Sequence, residues 1–442
     1  MDTKKLRQKI LDLAIHGKLV PQDPNDEPAS VLLERIKAEK ERLIKEGKIK
    51  RSKKSAKTSD TPHYENVPFE VPEGWCITDI GELLINRDGE RKPVSLAIRS
   101  KQKNKVYDYY GAAGVIDKVD NYLFDECLLL IGEDGANLLS RNKNNAFLAD
   151  GKYWVNNHAH VLDTIDKFIL SYVAIVINSM KLDDYITGSA QPKLSQDNLN
   201  KIPIFLPPLN EQKRIMTELE RWFALIDQID QGKVDLQETI KQTKSKILDL
   251  AIHGKLVPQD PNDEPAIELL KRINPDFTPC DNGHYENLPD GWGVCRLEDI
   301  VDYEQPTAYI VNSTSYNDSY PIPVLTAGKS FIIGYTNEVK GIYSELPCII
   351  FDDFTTDSKF VDFPFKVKSS AMKILQVRKD VEVEYVAMFM NTTRLIGDTH
   401  KRYWISEYSK LTIPIPPKAE QKRIVDTVHT AFAKLDTIME SL

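Results

Sequence analysis

The sequence has 442 residues, of which 41% are hydrophobic, and a formal net charge of −8. This length and composition predict a globular chain of two or three domains, and its apolar runs are too short to cross a membrane. Five cysteines without a CxxC spacing indicate neither a disulfide framework nor a zinc site. We therefore expect reduced thiols and a cytoplasmic protein.

Two helices are predicted in a basic N-terminal region. Residues 1–58 hold sixteen Lys and Arg against nine Asp and Glu, so the acidic excess lies in the rest of the chain. The second helix is indicated by the spacing of five apolar residues, Leu32, Leu33, Ile36, Leu43 and Ile44. It leads into the basic run 48–54, for which two interpretations stay open: a solvated linker, or a contact with phosphate groups.

The N-terminal region also begins an internal repeat. Residues 9–29 and 246–266 are identical at all 21 positions, and residues 207–215 resemble 416–424. The repeated unit is continuous at 210–266, whereas its second copy is split between the C-terminus, 419–442, and the N-terminus, 1–29. The sequence therefore predicts a cyclic repeat with pseudo-twofold symmetry.

Apolar residues at alternating steps of three and four predict that each copy of the repeat is a long helix. The seam residues of the continuous copy are Ile215, Leu219, Trp222, Ile226, Ile229, Leu236, Ile240, Ile247 and Leu250, and those of the split copy are Ile424, Val428, Leu435, Ile438, Leu6, Ile10 and Leu13. Asn210 is predicted to cap the continuous helix, and Gly254, like Gly17, to end it. We expect an antiparallel, coiled-coil-like spacer about 60 Å long. An ordinary buried helix pair is the alternative.

Two segments between the helices, about 63–208 and 284–417, share their ends and differ inside. Both begin with His-Tyr-Glu-Asn followed by Pro-Glu/Asp-Gly-Trp, and both close on Ile-Pro-Ile before a Pro-Pro pair. Inside them, runs at 127–131, 331–333 and 348–351 predict strands, and 168–177 and 385–395 predict helices. Each segment is predicted to be a mixed α/β domain, which makes the chain an α/β (α+β) protein. The predicted partition is 1–58, 59–208, 209–275, 276–417 and 418–442.

No catalytic or cofactor-binding motif is found in the sequence. It lacks a Gly-rich phosphate loop, an HExxH motif and the Asn/Asp-Pro-Pro-aromatic motif of methyltransferases. His158 and His160 alternate on a predicted strand without a third ligand, so we predict no metal site there. Catalysis is therefore assigned to partner proteins.

The permuted repeat, the matching ends and the divergent interiors resemble the specificity subunits of type I restriction-modification systems over essentially the whole chain. The blocks ILDLAIHGKLVPQ and EQKRI carry most of this resemblance. It implies a non-catalytic subunit with two target-recognition domains, each reading one half of a bipartite target in double-stranded DNA. It also implies that the seam helices dock modification (adenine methyltransferase) subunits, two copies by the pseudo-twofold repeat, with a restriction subunit as a further partner.

The same resemblance places S-adenosylmethionine, ATP and Mg²⁺ on the partner subunits and none of them on this chain. The alternative that the residues leave open is a coiled-coil scaffold that joins proteins without contacting DNA.

Three short stretches are candidates for contacting DNA. In the first domain, Arg141, Asn142, Lys143, Asn144 and Asn145 form a predicted loop whose side chains suit base edges in the major groove, although a plain surface loop fits equally well. Gln191 and Lys193 belong to a Gly-Ser-Ala-Gln-Pro-Lys stretch that resembles a turn of the specificity-subunit family, and Lys193 is the predicted phosphate contact. The second domain departs from that turn, so the same role is assigned there to Lys401, Arg402 and Tyr403.

Overall fold

The computed structural model describes residues 2–49, 70–188, 190–280, 285, 287–328, 330–393, 395 and 402–442. Most of the basic run 48–54, and Lys401, lie outside the described residues. Contacts divide the chain into two units, Met1–Gln231 and Gly232–Leu442. None of the helices that the structure describes is both long and apolar enough to cross a membrane.

Within its described residues, the first unit combines eight α-helical segments with twelve strands. Its helices are α1 Thr3–Ile15, α2 Ala29–Lys45, α3 Ile80–Leu83, α4 Leu96–Arg99, α5 Asn137–Ser140, α6 Lys167–Ser179, α7 Gln196–Asn200 and the first part of α8 Leu209–Ile252. Its strands are β1 Cys76–Asp79, β2 Ile85–Asn86, β3 Tyr107–Gly111, β4 Gly114–Val119, β5 Phe124–Asp125, β6 Leu128–Gly132, β7 Ala146–Ala149, β8 Lys152–Val155, β9 Ala159–Asp163, β10 Ile186–Thr187, β11 Lys193–Leu194 and β12 Pro203–Leu206.

Two four-stranded sheets form the centre of the first unit. One is antiparallel with the order β2-β9-β6-β7, and the other has the order β4-β3-β8-β5, in which β3 and β8 run parallel. Strand β6 is buried at every position because it lies inside its sheet and packs against α6. Strands β1 and β12 pair from Cys76↔Leu206 to Asp79↔Pro203, so the domain begins and ends on one ribbon.

The second unit begins within α8. Its other helices are α9 Ala266–Ile273, α10 Leu297–Ile300, α11 Val383–Thr392, α12 Tyr403–Ser406 and α13 Lys418–Glu440. Its strands are β13 Gly293–Arg296, β14 Val301–Glu304, β15 Ile322–Leu325, β16 Ile332–Thr336, β17 Cys348–Asp352, β18 Ser358–Val361, β19 Lys366–Val367, β20 Met372–Val377 and β21 Thr412–Ile415.

The strands of the second unit repeat the main pairings of the first, with three strands in place of four in the sheet that holds the parallel pair. The sheet β14-β20-β17-β18 is antiparallel, the sheet β16-β15-β19 contains the parallel pair β15 and β19, and β13 with β21 closes the domain. The predicted mixed α/β class is therefore confirmed for both domains, although almost no sequence identity links their interiors.

The helix ends follow the predicted signals in part. Gly17 and Gly254 come just after α1 and α8 with φ of +65° and +66°, the left-handed conformation of a glycine that ends a helix. Asn210 is not a cap, because α8 already begins at Leu209 and Asn210 lies inside its first turn.

The predicted antiparallel pairing of the seam helices is present within each unit. In the first, Arg7 of α1 bonds Asp227 of α8, and beyond the end of α1 Gln22 bonds Glu211 at the start of α8. In the second, Lys233 of α8 bonds the carbonyl of Leu442, and Lys244 bonds Asp436 of α13. Residue numbers increase along α8 in the direction in which they decrease along its partners α1 and α13, so the helices are antiparallel.

Burial of the seam is uneven. Fully buried seam residues are Ile10, Ile215, Leu219, Ile226, Ile240, Ile424 and Val428. Leu236 and Ile438 remain 39% and 44% exposed, so the seam is not buried along its whole length. Two further apolar residues of α8, Leu225 and Val234, are 42% and 57% exposed.

The identical blocks of the repeat build the same junction in each unit. A glutamate in the first turn of each seam helix accepts a hydrogen bond from the tryptophan that opens the domain and another from a glutamine of the repeat. The bonds are Trp75 Nε1 to Glu211 at 3.0 Å, Gln22 Nε2 to Glu211 at 3.0 Å, Trp292 Nε1 to Glu420 at 3.1 Å and Gln259 Nε2 to Glu420 at 3.1 Å. Burial raises the pKa of both carboxyl groups, and these hydrogen bonds only partly oppose it.

Candidate nucleic-acid interface

Several loops of the first unit meet at one end of the sheet β2-β9-β6-β7. Because neighbouring strands are antiparallel, the ends of β2 and β6 lie beside the starts of β7 and β9. Residues 87–92, 133–136, 141–145 and 156–158 therefore emerge together. The β10–β11 turn joins them, since Leu194 N donates to Glu133 O at 2.8 Å and Gly135 N donates to Pro192 O at 3.0 Å.

A network of charged side chains underlies these loops. Glu133 accepts from Arg91 Nη1 at 2.7 Å and lies 3.2 Å from Lys193 Nζ. His160, which is 1% exposed, places Nδ1 2.6 Å from Asp88 Oδ2. Burial alone raises the pKa of Glu133 and of Asp88, but the hydrogen bonds and charges of Arg91 and His160 outweigh it and hold both below their ordinary values. The carboxylates are therefore ionised and locked between cations.

Asp88, Glu133 and His160 also bring potential metal ligands within 4.8 Å of one another. His160 Nε2 is 2.8 Å from Leu194 O and donates to it, because a carbonyl oxygen only accepts, so Nδ1 is the ring nitrogen that faces the carboxylates. Arg91 and Lys193 already pair with the same carboxylates. The arrangement fits an ion-pair network that joins the loops.

The predicted loop 141–145 lies at this end of the sheet, but its members differ in exposure. Asn142, Lys143 and Asn144 are exposed. Asn145 is 3% exposed, accepts from Asn137 Nδ2 at 2.8 Å and donates to Leu138 O at 3.1 Å. Its amide is thus used inside the loop, and the expectation that it reads a base is corrected. Arg141 is partly buried and donates to the carbonyl of Asn178.

The β10–β11 turn of the first unit, which the sequence predicts to contact DNA, exposes both of its candidate residues. Gln191 is exposed, and the side chain of Lys193 is 53% exposed while it pairs with Glu133. The fold brings Lys193 and the 141–145 loop to the same end of one sheet, which the sequence alone did not indicate.

The second unit has an equivalent end on the sheet β14-β20-β17-β18. Asp353 directly follows β17, as Glu133 follows β6, and Tyr403 N donates to Asp353 O at 2.9 Å, as Leu194 N donates to Glu133 O. Arg402 therefore stands where Lys193 stands in the first unit, and it is exposed. Tyr403 is 4% exposed, so its ring belongs to the core and the expectation that it contacts DNA is corrected.

One charged segment at this end of the sheet was missed by the sequence analysis. The connection between β2 and β3, residues 87–106, holds seven Lys or Arg against two acidic residues. Its charge density was a usable signal, but only the pairing of β2 with β9 shows that it starts at the same end of the sheet as Lys193.

The chain was compared with known families and proteins. The family described as "Type I restriction modification DNA specificity domain" matches residues 72–241 and 289–442. The EcoR124I/EcoR124II specificity subunit of Escherichia coli is 52% identical over 141 residues, 30% of this chain and 35% of that subunit. The EcoAI specificity subunit of the same species is 32% identical over 381 residues, 68% of this chain and 62% of that subunit. The chain thus spans less than two thirds of the length of these relatives.

The fold is also found among solved structures. A chain from a study of complex assembly and conformational transition in a type I R-M system aligns with a TM-score of 0.56 at 15% identity, over 85% of this chain and 94% of that one. At this identity the likeness concerns the fold alone. The family match covers most of the chain and falls on both domains, with their two equivalent sheet ends. The chain therefore belongs to the type I restriction modification DNA specificity family.

Proposed function

We propose that the chain is the non-catalytic specificity subunit of a type I restriction-modification complex and that each of its domains reads one half of a bipartite DNA target. The observation that carries this proposal is the separate family match of 72–241 and 289–442, because each match contains one complete sheet with its loop end. The domains share their strand pairing and differ in their loops. A shared fold with different loops suits two domains that bind different DNA sequences.

We further propose that α8, α1 and α13 dock two copies of the modification subunit. Each unit repeats the junction of a buried glutamate with a tryptophan and a glutamine, so a partner that fits one junction also fits the other. The helices also carry exposed apolar residues, Leu225 in the first unit and Val234, Leu236 and Ile438 in the second, and a docked partner would bury them.

The test is to sequence methylated bases in a host with and without this gene. The proposal expects one bipartite methylated motif that disappears with the gene. Replacing 76–206 by the corresponding segment of another specificity subunit should then change one half of the motif only. The exchanged segment begins and ends at the paired residues Cys76 of β1 and Leu206 of β12, and it leaves Trp75 and Glu211 in place.

A change in both halves after this exchange would rule out two independent readers. A host that shows no gene-dependent methylated motif, while the chain still joins other proteins, would favour the scaffold alternative.

A further inference from the structure

The β2–β3 connection of the first unit, residues 87–106, is strongly cationic, whereas its counterpart in the second unit is not. The connection between β14 and β15, residues 305–321, contains no Lys or Arg and one Asp. Both connections leave the equivalent end of the equivalent sheet. The second domain forms this connection without a cation, so the common frame does not require positive charge there.

Four of the seven cations of residues 87–106 are used within the first unit. Arg99 and Lys105 share the two carboxylate oxygens of Asp117 on β4, at 2.8 and 2.9 Å. Arg87 pairs with Glu90, Glu126 and Asp163, and Arg91 pairs with Asp88 and Glu133. These contacts attach the connection to the strands beneath it, and they compensate the charges of those four cations.

The backbone of the connection is held as well. Trp154 Nε1 donates to Lys92 O at 2.6 Å, and Tyr109 Oη accepts from Val94 N at 2.9 Å. The guanidinium of Arg99 lies over the ring of Tyr109, 4.5 Å from its centroid. Lysines carried on such a fixed segment lose less conformational freedom on binding than lysines on a free chain.

The remaining three cations, Lys92, Lys101 and Lys103, are exposed. They form no ion pair within the part of the chain that the structure describes. Uncompensated ammonium groups on one fixed segment make a surface that is complementary to a regular array of negative charges. Since Arg91 and Lys193 share Glu133, this surface continues into the β10–β11 turn.

We propose that Lys92, Lys101 and Lys103 bind backbone phosphates of double-stranded DNA beside the half-site read by the first domain. This inference rests on the proposed function. A lysine ammonium acts on phosphate as a point charge, so the contacts position the domain on the duplex and carry no base specificity. Each phosphate that a lysine neutralises releases counterions, and this makes affinity depend on salt.

The experiment measures DNA binding by the full-length protein, co-expressed with the modification subunit of its own system, as a function of salt. The probes are a duplex with the methylated motif and a random duplex of equal length. The test variant is Lys101→Gln/Lys103→Gln. The control is Lys181→Gln/Lys201→Gln, which removes two exposed lysines of the same unit outside this connection.

We expect the test variant to bind both duplexes more weakly, with a logarithmic salt slope about 1.8 smaller than that of the wild type. Raising the salt from 50 to 200 mM then weakens DNA binding by the test variant about 12-fold less than it weakens binding by the wild type. The control keeps the wild-type slope. A test variant with the slope of the control, on a wild type that prefers its target, overturns the inference and leaves the proposed function standing.

Equal slope losses in the test and control variants also overturn the inference, because net charge then explains both. A wild type that binds the two duplexes equally, with the slope loss confined to the test variant, contradicts the proposed sequence reading and supports the phosphate surface. If the wild type binds neither duplex, both the phosphate contact and the proposed function are ruled out.

Discussion

Glu133 holds three loops of the first domain together through Arg91, Lys193 and the backbone of Leu194. We expect Glu133→Gln to lower the free energy of unfolding by roughly 2–3 kcal/mol, because it leaves Arg91, whose side chain is 12% exposed, without its closest carboxylate. The measurement is urea unfolding of the purified variant.

Glu90→Gln is the matched control for that change. Glu90 is 51% exposed and pairs with Arg87, which keeps Glu126 and Asp163 as partners. The control should cost less than about 1 kcal/mol. Equal losses in the two variants would contradict a structural role for the network.

Glu211 and Glu420 make the stability of the junctions depend on pH. Burial raises the folded-state pKa of both above the ordinary value of 4.5. Their protonated forms therefore favour the folded state, and this contribution is present in full below pH 4.5 and is lost as pH rises through the raised pKa.

Glu211→Gln/Glu420→Gln should remove this dependence. The melting temperature of the wild type should fall relative to that of the double variant as pH is raised from 4.5 towards 8, whatever pH-independent cost the amides add. Thermal melts across that range test it. A constant difference between the two proteins would show that the carboxyl groups titrate normally.

At the scale of the element, the glycines after α1 and α8 set how the repeat enters its domain. A Cβ at Gly17 would lie 2.4 Å from Pro72 Cγ, and one at Gly254 would lie 2.4 Å from Pro289 Cγ. Gly47 has a similar φ of +71° but nothing within 4 Å of its Cβ position. The three positions separate the cost of conformation from the cost of close packing.

We expect Gly47→Ala to cost about 1 kcal/mol, the cost of left-handed backbone alone. Gly17→Ala and Gly254→Ala should each cost about 3 kcal/mol, because the neighbouring proline must also move. Chemical unfolding measures the three variants under one set of conditions. Similar losses at all three sites would mean that the junction accepts a methyl group without strain.

At the scale of the whole molecule, α8 contributes to both units, residues 209–231 to the first and 232–252 to the second. If the proposed function holds and this helix separates the two readers, four helical residues inserted after Gly232 lengthen it by about 6 Å. B-DNA rises about 3.4 Å per base pair, so the methylated motif should gain one or two base pairs between its halves. A four-residue insertion is tolerated in a seam of this kind as a stutter.

A single inserted residue is the control for this experiment, since it breaks the alternation of threes and fours and should cost stability. Sequencing of methylated bases with the four-residue variant gives the spacer directly. An active variant with an unchanged spacer would show that α8 does not measure distance.

The sequence by itself determined the elements whose signals are local. The seam spacing predicted α8 over nearly its full length, and short apolar runs predicted β6 and β17 to within a residue. The identical blocks predicted two equal copies, and the structure shows the same hydrogen bonds in both. Periodicity and capping act between residues a few positions apart, so they can be read along the chain.

The tertiary structure alone decided which candidate side chains reach solvent and which meet. Asn145 is buried because α5 supplies partners for its amide, and Tyr403 is buried because α12 packs against the loop after β17. Arg91, Glu133 and Lys193 are far apart in sequence and meet through the order of strands in one sheet. Strand order depends on packing of the whole domain, which no local pattern records.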